Sequence, residues 1–118
     1  MAIPKTLDVT VRREGRVGII KIHGYITGIE AQKIIDASQS LIDDGVVNFV
    51  LNLDQSKIIN SFGISILFDL IDCARERDGQ VGFCYVAPVL TKTFRVMGLL
   101  QVTKIYEMEE EAIQDLSG

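Results

Sequence analysis

The stretch VVNFVLNL, Val46 to Leu53, is apolar at six of its eight positions, on both parities of an extended chain. A strand with one wet face alternates apolar and polar residues, so this run reads as a strand covered on both of its faces. It is far shorter than the roughly 20 apolar residues of a membrane span. A strand of this kind fixes the centre of a sheet and requires apolar cover from elements before and after it.

Those elements are legible. Leu7, Val9 and Val11 alternate with Asp8, Thr10 and Arg12, the period-two pattern of a half-wet strand, and Glu14-Gly15-Arg16 turns the chain into a second strand, Val17 to Ile22. Gly24 to Gly28 is then a loop. Ile34, Ala37 and Leu41 recur at helical spacing, widened by Ile35 and Ile42, and this helix stops before Asp43-Asp44-Gly45. After the central strand come a helix over Ile64 to Arg77, a strand over Val81 to Val86 and a helix over Pro88 to Met97. Pro88 at its start and Gly98 just past its end fit the asymmetry of helix termini. Val102 to Tyr106 is a last strand, and Glu109 to Leu116 a closing helix with acidic residues in its first turn. The expected fold class is α/β: one domain over residues 1–118, a mixed, mostly parallel sheet of about five strands opened by an N-terminal hairpin, with about four helices.

Composition closes off several functions. The net charge is −4 and the 12 Lys and Arg are scattered, so no basic stripe exists to neutralise phosphates, and no direct nucleic-acid partner is expected. MAIPKTLDVT has no apolar core behind its lysine, so neither secretion nor membrane association is expected, and the chain is placed in the cytoplasm. The one histidine, His23, has no partner ligand at metal-binding spacing and reads as structural; Cys73 and Cys84 lie in apolar stretches and read as core residues. Phosphate-cradling loops and nucleophile elbows are absent, and the acidic residues read as solvated faces. No catalytic residue, metal or cofactor is expected.

Two features of the second helix remain. Ser65, Asp69, Asp72 and Glu76 occupy one stripe only about 60° wide on a 3.6-residue helix, and nearly all the rest is apolar, more than a helix lying on a sheet requires. The excess is either packing between neighbouring helices or a groove for another protein. At the mouth of the helix stands IINSFGIS, Ile58 to Ser65. Asn60 and Ser61 are both favoured N-cap residues, Phe62 is out of place in a solvated first turn, and Gly63 leaves the backbone open to close approach.

The stretch VVNFVLNLDQSKIINSFGISILFDLI resembles the sulfate transporter and anti-sigma factor antagonist (STAS) domain family. In that family an apolar strand ends in Asp-Ser-Ser/Thr-Gly at a helix start. The likeness extends to the opening hairpin, the loop GYITG, the strand QVGFCYV, the helix ending MGL, and a last strand before an acidic helix. Two motif positions depart from the pattern: Asn60 stands in place of Asp, and Phe62 in place of the second hydroxylic residue. The loop GYITG also lacks the Asp often present in that region.

The resemblance implies that Ser61 is the position phosphorylated by a partner serine kinase, and that Asn60, Ser61, Phe62, Gly63 and Ser65 contact the partner. That partner is an anti-sigma factor, itself the kinase, bound when Ser61 is unmodified and released on phosphorylation, so that sigma-factor-dependent transcription is regulated. Self-association is expected to go no further than a weak homodimer. The alternative is a non-catalytic scaffold subunit of a larger stress-signalling assembly, since some scaffold members of the family carry a Ser-Phe pair. A small-molecule site near Gly24 and Gly28 is the third reading.

Overall fold

The computed structural model describes residues 7–118, so part of the N-terminal stretch MAIPKTLDVT lies outside the described residues. Strands β1 (Leu7–Glu14) and β2 (Val17–Gly24) form the hairpin; α1 (Gln32–Asp43), β3 (Asn48–Gln55), α2 (Ser61–Arg75), β4 (Val81–Cys84), α3 (Pro88–Val96), β5 (Lys104–Tyr106) and α4 (Glu109–Ser117) follow, with single helical turns at Ile29–Ala31 and Leu99–Gln101. The sheet runs β1-β2-β3-β4-β5; β1 is antiparallel to β2 and every later pairing is parallel.

This order decides where the helices go. Each parallel crossover is right-handed and each steps one strand further in the same direction, so α1, α2 and α3 must all lie on one face. The packing agrees: Ile34 and Leu41 of α1, the apolar face of α2, and Leu90 and Phe94 of α3 share one core with Ile20, Ile22, Phe49, Leu51, Leu53 and Phe83 of the sheet. The opposite face belongs to α4, whose Ala112 and Leu116 cover Val17, Ile19, Val50 and Cys84. β3 is therefore roofed on both sides, as its composition requires.

Several boundaries shift. Val46 and Val47 precede the ladder, which β3 joins at Asn48, opposite Val17. The Asn48 side chain accepts from the Gln80 N–H at 2.9 Å and donates to the Leu116 carbonyl at 3.0 Å, so this polar residue ties three elements where the strand begins. β4 ends at Cys84 rather than Val86 because Tyr85 takes a left-handed backbone, φ 56, which turns the chain out of the sheet. His23 is half-exposed at the end of β2. Among the described residues its ring has no hydrogen-bond partner, and its place is held by the ladder, opposite Asp8 of β1 and Gln55 of β3.

The apolar excess of α2 resolves the same way. Ile64, Ile66, Leu67, Leu70, Ile71 and Ala74 are buried, because α2 is the middle helix of three on one face and is flanked as well as floored. The body of the helix therefore carries no open groove. What apolar surface remains exposed here gathers at its mouth.

Candidate functional site

The mouth of α2 follows β3 and is held by the loop after β2. The Ile26 N–H donates to the Ile58 carbonyl at 2.9 Å and the Asn60 N–H to the Ile26 carbonyl at 3.3 Å, so two loops pair as a one-residue parallel bridge between Ile26 and Ile59. The buried Ser56 hydroxyl donates to the Gly24 carbonyl at 2.7 Å, fixing the far side of the same junction. Sequence reasoning missed this stitching. The only signal was GYITG, whose alternation continues β2 by one inward residue, Ile26.

Asn60 is the N-cap. Its backbone is extended, φ −119 and ψ −175, its side-chain oxygen accepts from the Gly63 N–H at 3.0 Å, and its side-chain amide donates to the Thr27 carbonyl at 2.8 Å. Ser61, one residue further on, is relieved of capping. It is exposed, and among the described residues its hydroxyl has no hydrogen-bond partner. The Gly63 N–H goes to Asn60 and the Ile64 N–H to the Asn60 carbonyl at 2.9 Å, which leaves the Ser61 and Phe62 N–H groups as the open donors of the first turn.

Gly63 differs from expectation. It is buried, and a Cβ built on it would meet the Ile26 carbonyl oxygen at 2.0 Å and the Ile59 side chain at 2.7 Å. The close approach expected at this glycine is thus made by the chain's own loop, and Gly63 offers a partner no surface. Ser65 is exposed on the helix and donates to the Phe62 carbonyl at 2.6 Å. Beside Ser61, Ile58 and Phe62 are each 45% exposed. The exposed site residues are thus Asn60, Ser61, Phe62 and Ser65, with Ile58 added by the structure.

The electrostatics are simple. No carboxylate stands beside Ser61 in the first turn, where the helix dipole is positive. An open groove of about 420 Å³ lies at the amino ends of β4 and β5, lined by Gln80, Val81, Thr103 and Lys104, at the other end of the sheet from this mouth. Among the described residues no three His, Cys, Asp or Glu side chains cluster as metal ligands, and no helix is long and apolar enough to cross a membrane.

The fold is that of anti-sigma factor antagonists. An anti-sigma factor antagonist from Mycobacterium paratuberculosis is similar over 100% of both chains, with a TM-score of 0.84 at 18% identity. An anti-sigma-factor antagonist (STAS) domain protein from Planctomyces limnophilus matches over 93% of this chain and 98% of its own, TM-score 0.78 at 17% identity. The Bacillus cell fate determinant SpoIIAA in its phosphorylated form matches over 92% and 98%, TM-score 0.72 at 17% identity. At such identities the likeness speaks for the fold alone. The family itself comes from the sequence: the STAS domain model matches residues 8–112, and the chain belongs to the STAS domain family.

Proposed function

We propose that this protein is an anti-sigma factor antagonist that binds an anti-sigma factor of the serine kinase type through the mouth of α2 and is released when that kinase phosphorylates Ser61. The observation that carries this role is the division of labour at the mouth: Asn60 does the capping, so the adjacent Ser61 hydroxyl is displayed to solvent between exposed Ile58 and Phe62.

The physics suits a switch. A phosphoryl group adds about −1.5 to −2 charge, and at the first position of a helix it meets open N–H groups and the positive end of the dipole, so the free protein keeps its fold. Inside an apolar contact the same group must lose water without a prepared counter-charge, which costs several kcal/mol. Reversal of a 99:1 equilibrium takes about 5.5 kcal/mol, within reach of one buried phosphate. Asn60 in place of the family's Asp removes a negative charge beside the hydroxyl, which selects a kinase that does not require one.

Binding of the wild type, Ser61→Ala and Ser61→Asp to the kinase encoded in the same cells tests the role. Ser61→Ala should bind like the wild type, Ser61→Asp should not, and incubation with the kinase and ATP should place phosphate on Ser61 alone. Equal binding of the two variants, or phosphate elsewhere, overturns it. A large assembly that forms from the isolated chain and ignores both variants would favour the scaffold role.

A further inference from the structure

We infer that the outer edge of β1 is a self-pairing surface, and that two copies of this chain join antiparallel about Thr10 into one continuous sheet. β1 is the end strand of the sheet, and among the described residues no strand pairs with its outer edge, which Glu30 and Lys33 reach at Leu7 and Asp8. Gly15 at φ 58 and Arg16 form a two-residue turn between Glu14 and Val17, which makes Glu14 and Val17 a hydrogen-bonded pair. Hydrogen-bonded pairs alternate along an antiparallel ladder, so Arg12, Thr10 and Asp8 also turn their backbone groups toward β2, and Val9, Val11 and Arg13 turn theirs outward. Leu7 confirms the parity. Its N–H and carbonyl are turned away from β2, and side chains take both: the N–H donates to Glu30 at 3.1 Å and the carbonyl accepts from Lys33 at 2.8 Å.

Charges on an edge strand usually guard it against pairing. Here they are antisymmetric about Thr10. With Thr10 on the two-fold axis, Asp8 of each copy lies opposite Arg12 of the other, and the outward backbone groups of Val9 meet those of Val11 on both sides of the axis. Val11, 43% exposed at present, gains an apolar neighbour on the face of the main core. The Asp8 side chain is 79% exposed and that of Arg12 47% exposed. Arg12 already bonds Glu109, and its five donors leave capacity for a second carboxylate. The competing registers fail on the same residues. Moving the axis to Val11 sets Asp8 against Glu14, moving it to Arg12 sets Arg12 against itself, and moving it to Val9 leaves one outward pair, Val9 with its copy, clear of the Leu7 backbone that Glu30 and Lys33 occupy, where the Thr10 axis leaves two. The interface is isologous, as two-fold pairing demands, and the Ser61 mouth, which follows β3, stays outside it.

Sedimentation of the full chain from low micromolar to millimolar concentration should show the mass rising from one copy toward two. Asp8→Arg and Arg12→Asp should each remain monomeric, and an equimolar mixture of the two should dimerise, because the swapped charges match again across the axis. In a Cys73→Ser background, Thr10→Cys should form a disulfide-linked dimer under oxidation. The non-hydrogen-bonded pair it would occupy has Cα atoms about 4.5 Å apart, within disulfide reach. Val11→Cys should not, because Val11 lies diagonally from its copy at about 7–8 Å. Circular dichroism of each variant separates lost pairing from lost fold. A wild type that stays monomeric throughout, a mixture no more associated than its components, or cross-linking of Val11→Cys equal to that of Thr10→Cys overturns the inference.

Discussion

The side-chain oxygen of Asn60 accepts from the Gly63 N–H at 3.0 Å, and this single bond decides that Asn60, not Ser61, caps α2. Two adjacent residues of nearly equal capping preference are thereby given different roles, one structural and one displayed.

Replacing the cap should therefore cost more than replacing the displayed hydroxyl. Asn60→Ala loses the Gly63 bond and the bond to Thr27, and should lower the unfolding free energy by about 1–2 kcal/mol. Ser61→Ala should change it by less than about 0.5 kcal/mol. Urea denaturation of both variants checks the pair; the reverse order would make Ser61 the structural residue.

Gly63→Ala puts a methyl group where the Ile26 carbonyl stands, 2.0 Å away, and backbone cannot yield as a side chain tip can. The Ile26–Ile59 bridge should open, at a stability cost of about 1–3 kcal/mol. Hydrogen exchange should locate the change, with faster exchange at the Ile26 and Asn60 amides, whose acceptors belong to that junction.

Two phenylalanines of the β3–α2 unit, Phe49 and Phe62, should behave oppositely. Phe49 is fully buried in the main core, and Phe49→Ala should cost about 3–5 kcal/mol by leaving a cavity; Leu51→Ala belongs with it. Phe62, 45% exposed, should change stability little on replacement by Ala and should weaken partner binding instead. Thermal unfolding together with a binding assay separates them, and equal stability losses would place Phe62 in the core.

Acid should weaken the attachment of α4. Glu109 accepts from Arg12 and, at 2.8 Å, from the Asn52 side-chain amide, pinning the start of α4 to the second face of the sheet. The Arg12 hydrogen bond first, then that of Asn52, holds its carboxyl below the ordinary value of 4.5 despite partial burial. A carboxyl depressed in the folded state stabilises above its unfolded value, and that contribution fades as pH falls from 4.5 through the folded value. Unfolding free energy should thus decline below that pH, and Glu109→Gln should flatten the decline while lowering stability at neutral pH. A slope unchanged in Glu109→Gln would assign the acid sensitivity to other carboxylates, among them Asp115, which Tyr106 and Lys104 also hold low.

Local pattern determined most of the architecture. The double-parity apolar run of β3, the alternation of β1, the Gly15 turn, and the Pro88 and Gly98 punctuation of α3 each act over a few residues, so their outcome is written in neighbouring side chains. Element order then fixed the mostly parallel sheet, since short connections and right-handed crossovers leave few alternatives. Element ends were less legible. Tyr85 leaves β4 early through a backbone conformation that no neighbouring residue announces, and Val46 is buried without joining the ladder.

At the site, the sequence supplied the residue types and stopped there. Whether Asn60 or Ser61 would cap, whether Gly63 would face a partner or the Ile26 carbonyl, and whether the apolar girth of α2 would lie open or flanked depended on segments more than 30 residues apart meeting at the mouth, as Thr27 and Asn60 do across 33 positions. Such contacts answer to packing over the whole domain, and periodicity along the chain carries no record of them. The sequence by itself determined which chemistry was present; tertiary packing decided which of it reached the surface.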